Sequence, residues 1–334
     1  MKKLELTSAI KDEFNPHTAR YPLMGFTKVD GVRGGHLHGF FHGRSLDPFK
    51  NTALNERFNG AHYAGLDGEI TIAGVINDFE LALAIEEGRI VPEEENSSIC
   101  SLTTGLTNRA KLRKGEEALP CDAVWNLFDY LAPEARDLPY IQRYNMLINV
   151  HDEEAMPFTH VLPFVWIHSA AEAEAWIEKC LSEGYEGAIF RDPDAMYKSG
   201  RATAAKNDFW RYKPVSDKDA VVLECYEAEQ NNNVATTNSR GRTERSGHQE
   251  NKVGKGLLGG FVARDVATGK PVRIPAGRMS KKECADVWEL WLSDPAQVVG
   301  RPFKYTSLDV GVKDEPRQAR WICWRAVEDM EKAA

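Results

Sequence analysis

The chain has 334 residues, 42% apolar and 10% aromatic, with a net charge of −8. This length suits two domains that each bury a core, and the composition is that of an ordinary water-soluble protein. No apolar run approaches a membrane span and the opening MKKLELTSAIKDEF has no signal-peptide core. Six scattered cysteines (Cys100, Cys121, Cys180, Cys225, Cys284, Cys323) form no CxxC pair. These features argue against a membrane protein, a zinc ribbon and a disulfide scaffold, and predict a cytoplasmic chain with free thiols.

In chain order, the first informative segment is Lys28-Val29-Asp30-Gly31-Val32-Arg33. Asp-Gly favours a tight turn, which would let Lys28 and Arg33 face one pocket from either side. A lysine buried among cationic groups loses its proton more readily and becomes a covalent nucleophile. The competing reading is a surface hairpin with a solvated lysine. Arg44-Ser45-Leu46-Asp47-Pro48 and Leu66-Asp67-Gly68-Glu69-Ile70 follow, then a predicted helix over 77–88 and Phe128-Asp129-Tyr130. Ser169 and Glu172 form a capping box for a helix with Ala173, Trp176, Ile177, Cys180 and Leu181 at helical spacing. Gly184 ends that helix, 186–191 (EGAIFR) reads as a strand, and Trp210-Arg211-Tyr212-Lys213-Pro214 comes next.

Each segment is a weak signal alone, since Asp-Gly-Glu is commonly a turn and Phe-Asp-Tyr a strand end. As an ordered set they describe one pocket. Glu69 and Glu186 offer oxygens to a ribose and a hard divalent cation, and Phe128 offers a flat face to a purine. Lys28, Arg33, Arg191, Arg211 and Lys213 supply positive charge for phosphates.

Around Pro214-Val215-Ser216-Asp217 the pattern changes to short apolar strands at 220–226, 257–264, 272–274, 303–305 and 321–324. A second capping box, Ser280 with Glu283, opens a helix carrying Cys284, Val287, Trp288 and Trp291 before the last pair. Five strands and one helix predict a small β-barrel of the OB type, and the boundary divides the chain into 1–216 and 217–334. The polar stretch 229–256 is predicted to be a mobile loop. Across 239–282, eleven Lys/Arg stand against three Asp/Glu, including Arg240, Arg242, Arg245, Lys252 and Lys255. Such a local excess is an electrostatic footprint for a polyanion, despite the net negative charge.

Together these segments resemble the covalent nucleotidyltransferases, and within them the ATP-dependent DNA ligases of the small bacteriophage type. Lys28 to Arg33 matches the KxDGxR nucleotidyl-lysine motif, and Arg44 with Ser45, Pro48 and Asn51 is similar to the arginine motif after it. Leu66 to Ile70 resembles the DGE motif, Phe128 the aromatic motif, Glu186 to Arg191 the EGxxxR/K motif, and Arg211 with Lys213 the KxK motif. The stretch YKSGRATAAKNDFWRYKP, Pro316-Arg317 and Trp324-Arg325-Ala326-Val327-Glu328-Asp329 resemble the phage enzymes. Two departures stand out: Arg211 replaces the first lysine of KxK, and the terminal motif lacks the lysine common in cellular ligases, which bears on any role for Asp329.

The resemblance implies an α+β chain, with an ATP-grasp-like nucleotidyltransferase domain followed by an OB-fold β-barrel. It implies that Lys28 takes AMP from ATP, passes it to the 5′-phosphate of nicked double-stranded DNA, and that the 3′-OH then displaces AMP. On this reading Phe128 stacks on adenine, Glu69 contacts the ribose and Glu69 and Glu186 hold Mg²⁺, with Mn²⁺ as a substitute. Arg33 and Arg44 hold the nick phosphate, Asp30 lies near the 3′-OH and Arg325 orients pyrophosphate. A monomer is expected. The 27 residues before Lys28 and the lack of a four-cysteine element favour ATP over NAD as donor. The alternatives are an mRNA-capping guanylyltransferase, an RNA ligase and a nick-binding module without chemistry.

Overall fold

A computed structural model describes residues 4–10, 14–92, 97–206, 209–308 and 316–326, apart from the side chains of Ala205 and Arg317. Of the segments singled out above, residues 1–3 and 11–13 of the opening stretch, Asn207 and Asp208, and Val327, Glu328 and Asp329 lie outside the described residues. The chain divides into two compact units, Met1–Lys213 with Ser239–Gly241, and Pro214–Asn238 with Arg242–Ala334.

The first unit is built on two four-stranded sheets. One has the order β6-β1-β7-β8, from β1 (Leu23–Lys28), β6 (Val165–Ile167), β7 (Gly187–Arg191) and β8 (Phe209–Tyr212). The other has the order β2-β3-β4-β5, from β2 (Val32–Gly35), β3 (Leu66–Ile72), β4 (Ala123–Tyr130) and β5 (Thr159–Val161). Five α-helices among the described residues accompany them: α1 (Thr52–Phe58), α2 (Asp78–Glu86), α3 (Ile99–Asn108), α4 (Tyr140–Glu153) and α5 (Ala170–Ser182).

Strand alternation explains how β1 serves two cores. Leu23 joins Ala173, Ile177 and Cys180 of α5 with Ala188 and Phe190 of β7, while Met24 and Phe26 join Ile70, Trp125, Leu127 and the α4 residues Tyr140, Tyr144 and Leu147. A strand covered on both faces reads as a continuous apolar run, and LMGF does. Ser169 caps α5 through Glu172 N as its sequence predicts, and Asn77 caps α2 through Glu80 N.

The second unit holds an antiparallel sheet of order β13-β12-β9-β14-β15, from β9 (Val215–Asn231), β12 (Lys252–Asp265), β13 (Pro271–Pro275), β14 (Pro302–Leu308) and β15 (Arg317–Trp324). Val222, Phe261, Ile274, Phe303, Tyr305 and Trp321 form its core, and α6 (Lys281–Ser293) covers it with Val287, Trp288 and Trp291. Both bonds of the Ser280–Glu283 capping box are present. All five predicted strands occur, but no ladder joins β13 to β15 among the described residues, so the expected barrel is not closed.

A second expectation is corrected in the stretch 229–256. Instead of a mobile loop, β9 and β12 run out of the core as a paired ribbon, with Asn231 opposite Lys252 and Glu229 opposite Gly254. A small hairpin of β10 (Ala235–Thr237) and β11 (Thr243–Arg245) tips the ribbon. With few apolar residues to bury, this segment is ordered by amide side chains. Asn231 Nδ2 donates to Ser246 O at 2.8 Å, and the buried Asn233 donates to the carbonyls of Ser246 and His248 at 2.9 and 2.7 Å.

Candidate active site

Asp30-Gly31 does not make a hairpin. β1 and β2 belong to different sheets, and Asp30-Gly31 lies where the chain crosses from one to the other. A Cβ on Gly31 would sit 2.3 Å from Ile70 O, so only glycine fits this close crossing. The surface-hairpin reading of Lys28 therefore fails, and Lys28 ends a central strand instead.

Alternation sets which side chains meet there. Lys28 shares the inner face of β1 with Met24 and Phe26; Arg191 lies on the same face of β7 as Ile189, and Arg211 alternates with Trp210 and Tyr212 on β8. The register places Lys28 opposite Gly187 and Ala188 opposite Tyr212, so Lys28, Glu186 and Lys213 gather at one end of three adjacent strands. Lys28 Nζ donates to Glu186 Oε2, and Lys213 Nζ donates to Oε1 of the same carboxylate. Gly187 permits this: a Cβ there would lie 2.1 Å from Tyr212 O.

Burial pushes the Lys28 ammonium below its ordinary pKa, against the pull of Glu69 and Asp30, and the charges of Arg211 and Arg44 push the same way. Burial also raises the Glu69 carboxyl, with Lys28, Arg33 and Arg44 opposing. Arg44 and Arg211 are exposed, while Glu186 and Asp30 are buried.

Beside this cluster lies a second one that is sealed. Buried Arg33 grips buried Asp67 with Nε and Nη2, at 2.6 and 2.7 Å. Asp67 sits opposite Asp129 across β3 and β4. Asp129 accepts from Arg143 Nε at 2.8 Å and from Arg191 Nη1 at 2.8 Å. Burial raises the Asp67 carboxyl, the charge of Asp129 adds to the rise, and Arg33 with the more distant Arg191 does not offset this. For Asp129 burial again acts upward, but Arg143 and Arg191 together hold it below the usual carboxylate range. Arg191 Nη2 has no hydrogen-bond partner among the described residues, and Arg143, Arg191 and Tyr140 help to line a cavity of about 20 Å³. That is room for one water.

Phe128 borders this cluster. The Arg33 guanidinium lies 4.4 Å from its ring centroid and that of Arg191 5.6 Å. Asp67 pairs with Asp129 and Gly68 with Leu127, so Phe128 is the extra residue of a β-bulge. Bulges of this kind re-aim a side chain.

Of the residues predicted for the pocket, the first unit thus gathers Lys28, Asp30, Glu69, Glu186, Arg44, Arg211 and Lys213 around one amine, and sets Arg33, Arg191 and Phe128 around the sealed aspartates. In the second unit, Arg325 Nε donates to Asp219 Oδ1 at 3.0 Å. On the ribbon, Arg242 and Lys255 are exposed, Arg245 donates to Asn233 O, and Lys252 lies 3.8 Å from Glu229. Arg240, grouped with the first unit, donates to Glu5 Oε2 at 2.5 Å.

Sequence reasoning named Asp129 within Phe128-Asp129-Tyr130 but gave it no role, and passed over Tyr140 and Arg143. One signal was available for Arg143: it occupies the apolar stripe of α4 between Tyr140, Tyr144 and Leu147, where an arginine implies a buried partner.

No protein-family model and no curated protein sequence matches the chain. Solved structures do match. A DNA ligase of the Lig E group aligns over 97% of this chain and 100% of its own, with a TM-score of 0.64 and 19% identity. The structure called Pmar-Lig_Pre aligns over 97% of this chain and 68% of its own, with a TM-score of 0.63 and 16% identity. Chlorella virus DNA ligase-adenylate aligns over 96% and 99%, at 21% identity and a TM-score of 0.46. At these identities the likeness to the first two is one of fold, and it spans nearly the whole chain.

Proposed function

We propose that this chain is an ATP-dependent DNA ligase that seals 5′-phosphate/3′-OH nicks in duplex DNA. The observation that carries the reading is Lys28. Burial and two arginines lower its pKa, and Glu186, which holds it, is shared with Lys213, so the carboxylate's hold on either cation is divided. A lysine so placed serves as a nucleophile rather than as a surface charge.

In this reading residues 1–216 form the nucleotidyltransferase domain. The Lys28 amine attacks the α-phosphorus of ATP, an N–P bond forms, the bond to pyrophosphate breaks, and the amine gives up a proton. AMP passes to the 5′-phosphate at the nick, and the 3′-OH displaces it. Phosphoryl transfer asks mainly for positioning and for positive charge around the equatorial oxygens. Arg211 and Lys213 beside Lys28 meet the second demand, with Arg191 in its buried place behind them. Phe128 stacks on adenine, where such stacking contributes about 1–3 kcal/mol. Glu69 takes the ribose, Asp30 the vicinity of the 3′-OH, and exposed Arg44 the nick phosphate. Arg33, committed to Asp67, acts from behind Phe128.

Among the described residues no set of three or more His, Cys, Asp or Glu side chains could hold a metal alone. Glu69 and Glu186 suit Mg²⁺ or Mn²⁺ nonetheless, because Mg²⁺ takes one or two carboxylates and completes its shell with substrate phosphates and water. Bound there, the cation would neutralise phosphate charge. Residues 217–334 form the OB-type domain, a class whose five-stranded barrel is partly open. Arg325 is its residue for pyrophosphate, and Arg240, Arg242, Arg245, Lys252 and Lys255 contact the DNA backbone.

Intact-mass measurement after incubation with ATP and Mg²⁺ tests the proposal. One AMP should appear on the protein and should leave on addition of nicked duplex, with a sealed strand as product. A protein that binds nicked DNA but never gains AMP would overturn it, and labelling by GTP instead would indicate a capping-type enzyme.

A further inference from the structure

Phe128 is a bulged residue, and a bulge leaves the extra residue outside the ladder. Its carbonyl must find another partner, and finds it in α4: Tyr140 Oη donates to Phe128 O at 2.7 Å. The next residue, Asp129, is fully buried and fixed from both sides, by Arg143 of α4 and Arg191 of β7. Its Oδ1 also accepts from Tyr130 N at 2.9 Å, closing the strand after the bulge. The Arg191 guanidinium in turn lies 4.4 Å from the Tyr140 ring centroid. One helix, one bulged strand and one strand of the other sheet are thereby tied together around the Phe128 backbone.

We infer that Asp129 and Tyr140 are positioning residues that fix the Phe128 ring at the angle a purine needs, and so set nucleotide affinity without touching the nucleotide. The inference rests on the reading of Phe128 as the purine platform. Without its carboxylate, Asp129 no longer neutralises two buried guanidinium groups, and the strand after the bulge loses its anchor. Without its hydroxyl, Tyr140 leaves the bulge carbonyl unbonded. Either change lets the ring tilt while Lys28, Glu186 and Lys213 keep their places at the strand ends.

The test is a double-mutant cycle on lysyl-AMP formation, since residues that act through one another give non-additive effects. Asp129→Asn should raise KM for ATP about tenfold and Tyr140→Phe about threefold, with kcat within about threefold of wild type. In a Phe128→Ala background neither change should raise KM further. Additive effects, or a KM that stays at the wild-type value, would overturn the inference. If Asp129→Asn fails to fold, Tyr140→Phe, which removes a single oxygen, decides the matter through the same cycle. A purely structural role would lower kcat and the melting temperature while leaving KM alone, and would also overturn it. Failure of the ligase reading itself would appear separately, as a wild-type protein that takes up no AMP.

Discussion

Two clusters in the first unit have the same formula, one carboxylate between two cations, and opposite character. Glu186 lies between Lys28 and Lys213, whose side chains keep 17% and 18% of their surface exposed, whereas Asp129, Arg143 and Arg191 are all at least 95% covered. The lysine cluster can change its state, because an ammonium is a titratable point charge that sheds its proton when desolvated. The arginine cluster keeps its charges near neutral pH, because a guanidinium stays charged and its fork locks the carboxylate in one geometry. Chemistry needs the first kind of site and scaffolding the second, and the chain sets them side by side on neighbouring strands.

The largest expected difference between the clusters is in activity. Lys28→Ala should abolish the AMP adduct while still sealing a nick that is already adenylated, because the amine serves only as the carrier of AMP. Glu186→Ala should lower adduct formation by about a hundredfold or more, which is the range for losing a group that acts in the transition state. Denaturant unfolding of Lys28→Ala should stay within about 1 kcal/mol of wild type, since Glu186 keeps Lys213 as its partner. Ligation within about threefold of wild type would remove either residue from the site.

Stability should show the reverse pattern. Arg143→Ala leaves Asp129 with one guanidinium in a sealed environment, and removing one partner of a buried pair costs about 3–5 kcal/mol. Guanidinium chloride titration reads this directly. A loss under about 1 kcal/mol would mean that water reaches Asp129 and that the clusters differ less than their burial indicates.

The smallest effect is a shift in pH dependence. With the Lys28 pKa lowered, the rate of adduct formation should rise with pH and level off at a midpoint below 10.5. Arg211 is one of the charges that lower it, so Arg211→Gln should move the midpoint to higher pH. A midpoint that stays put, or moves down, would show that Arg211 does not act on the amine. Asp129 titrates in the opposite sense. Its carboxyl is held below the usual range, so the stability it lends is complete above 3.8 and is lost as pH falls through the folded value.

How much of this was legible in sequence depends on distance along the chain. Helices α5 and α6 were visible because their caps, Ser169 and Ser280, act within three residues, and α2 was read as the helix over 77–88. The strands of the second unit were visible because turns and apolar runs are local. Helix α4 was not, because Pro139 offers no side-chain cap and two of its stripe positions are tyrosines. The ribbon at 229–256 was misread as a loop because its order comes from Asn231 and Asn233 reaching 13 to 15 residues onward, which no hydrophobic pattern records.

Sequence by itself determined the ordered set Lys28, Arg44, Glu69, Phe128, Glu186 and Lys213, since segments that are weak signals one by one describe a single pocket when taken in order. The tertiary structure alone decided which of the neighbouring charges are open to that chemistry and which are sealed. Asp67 and Asp129 are 34 and 14 residues from the arginines Arg33 and Arg143, and Arg191 is 62 residues from Asp129. Only the packing of two sheets and α4 removes them from water, and it is desolvation, set by what lies on every side, that separates a titratable amine from a locked ion pair.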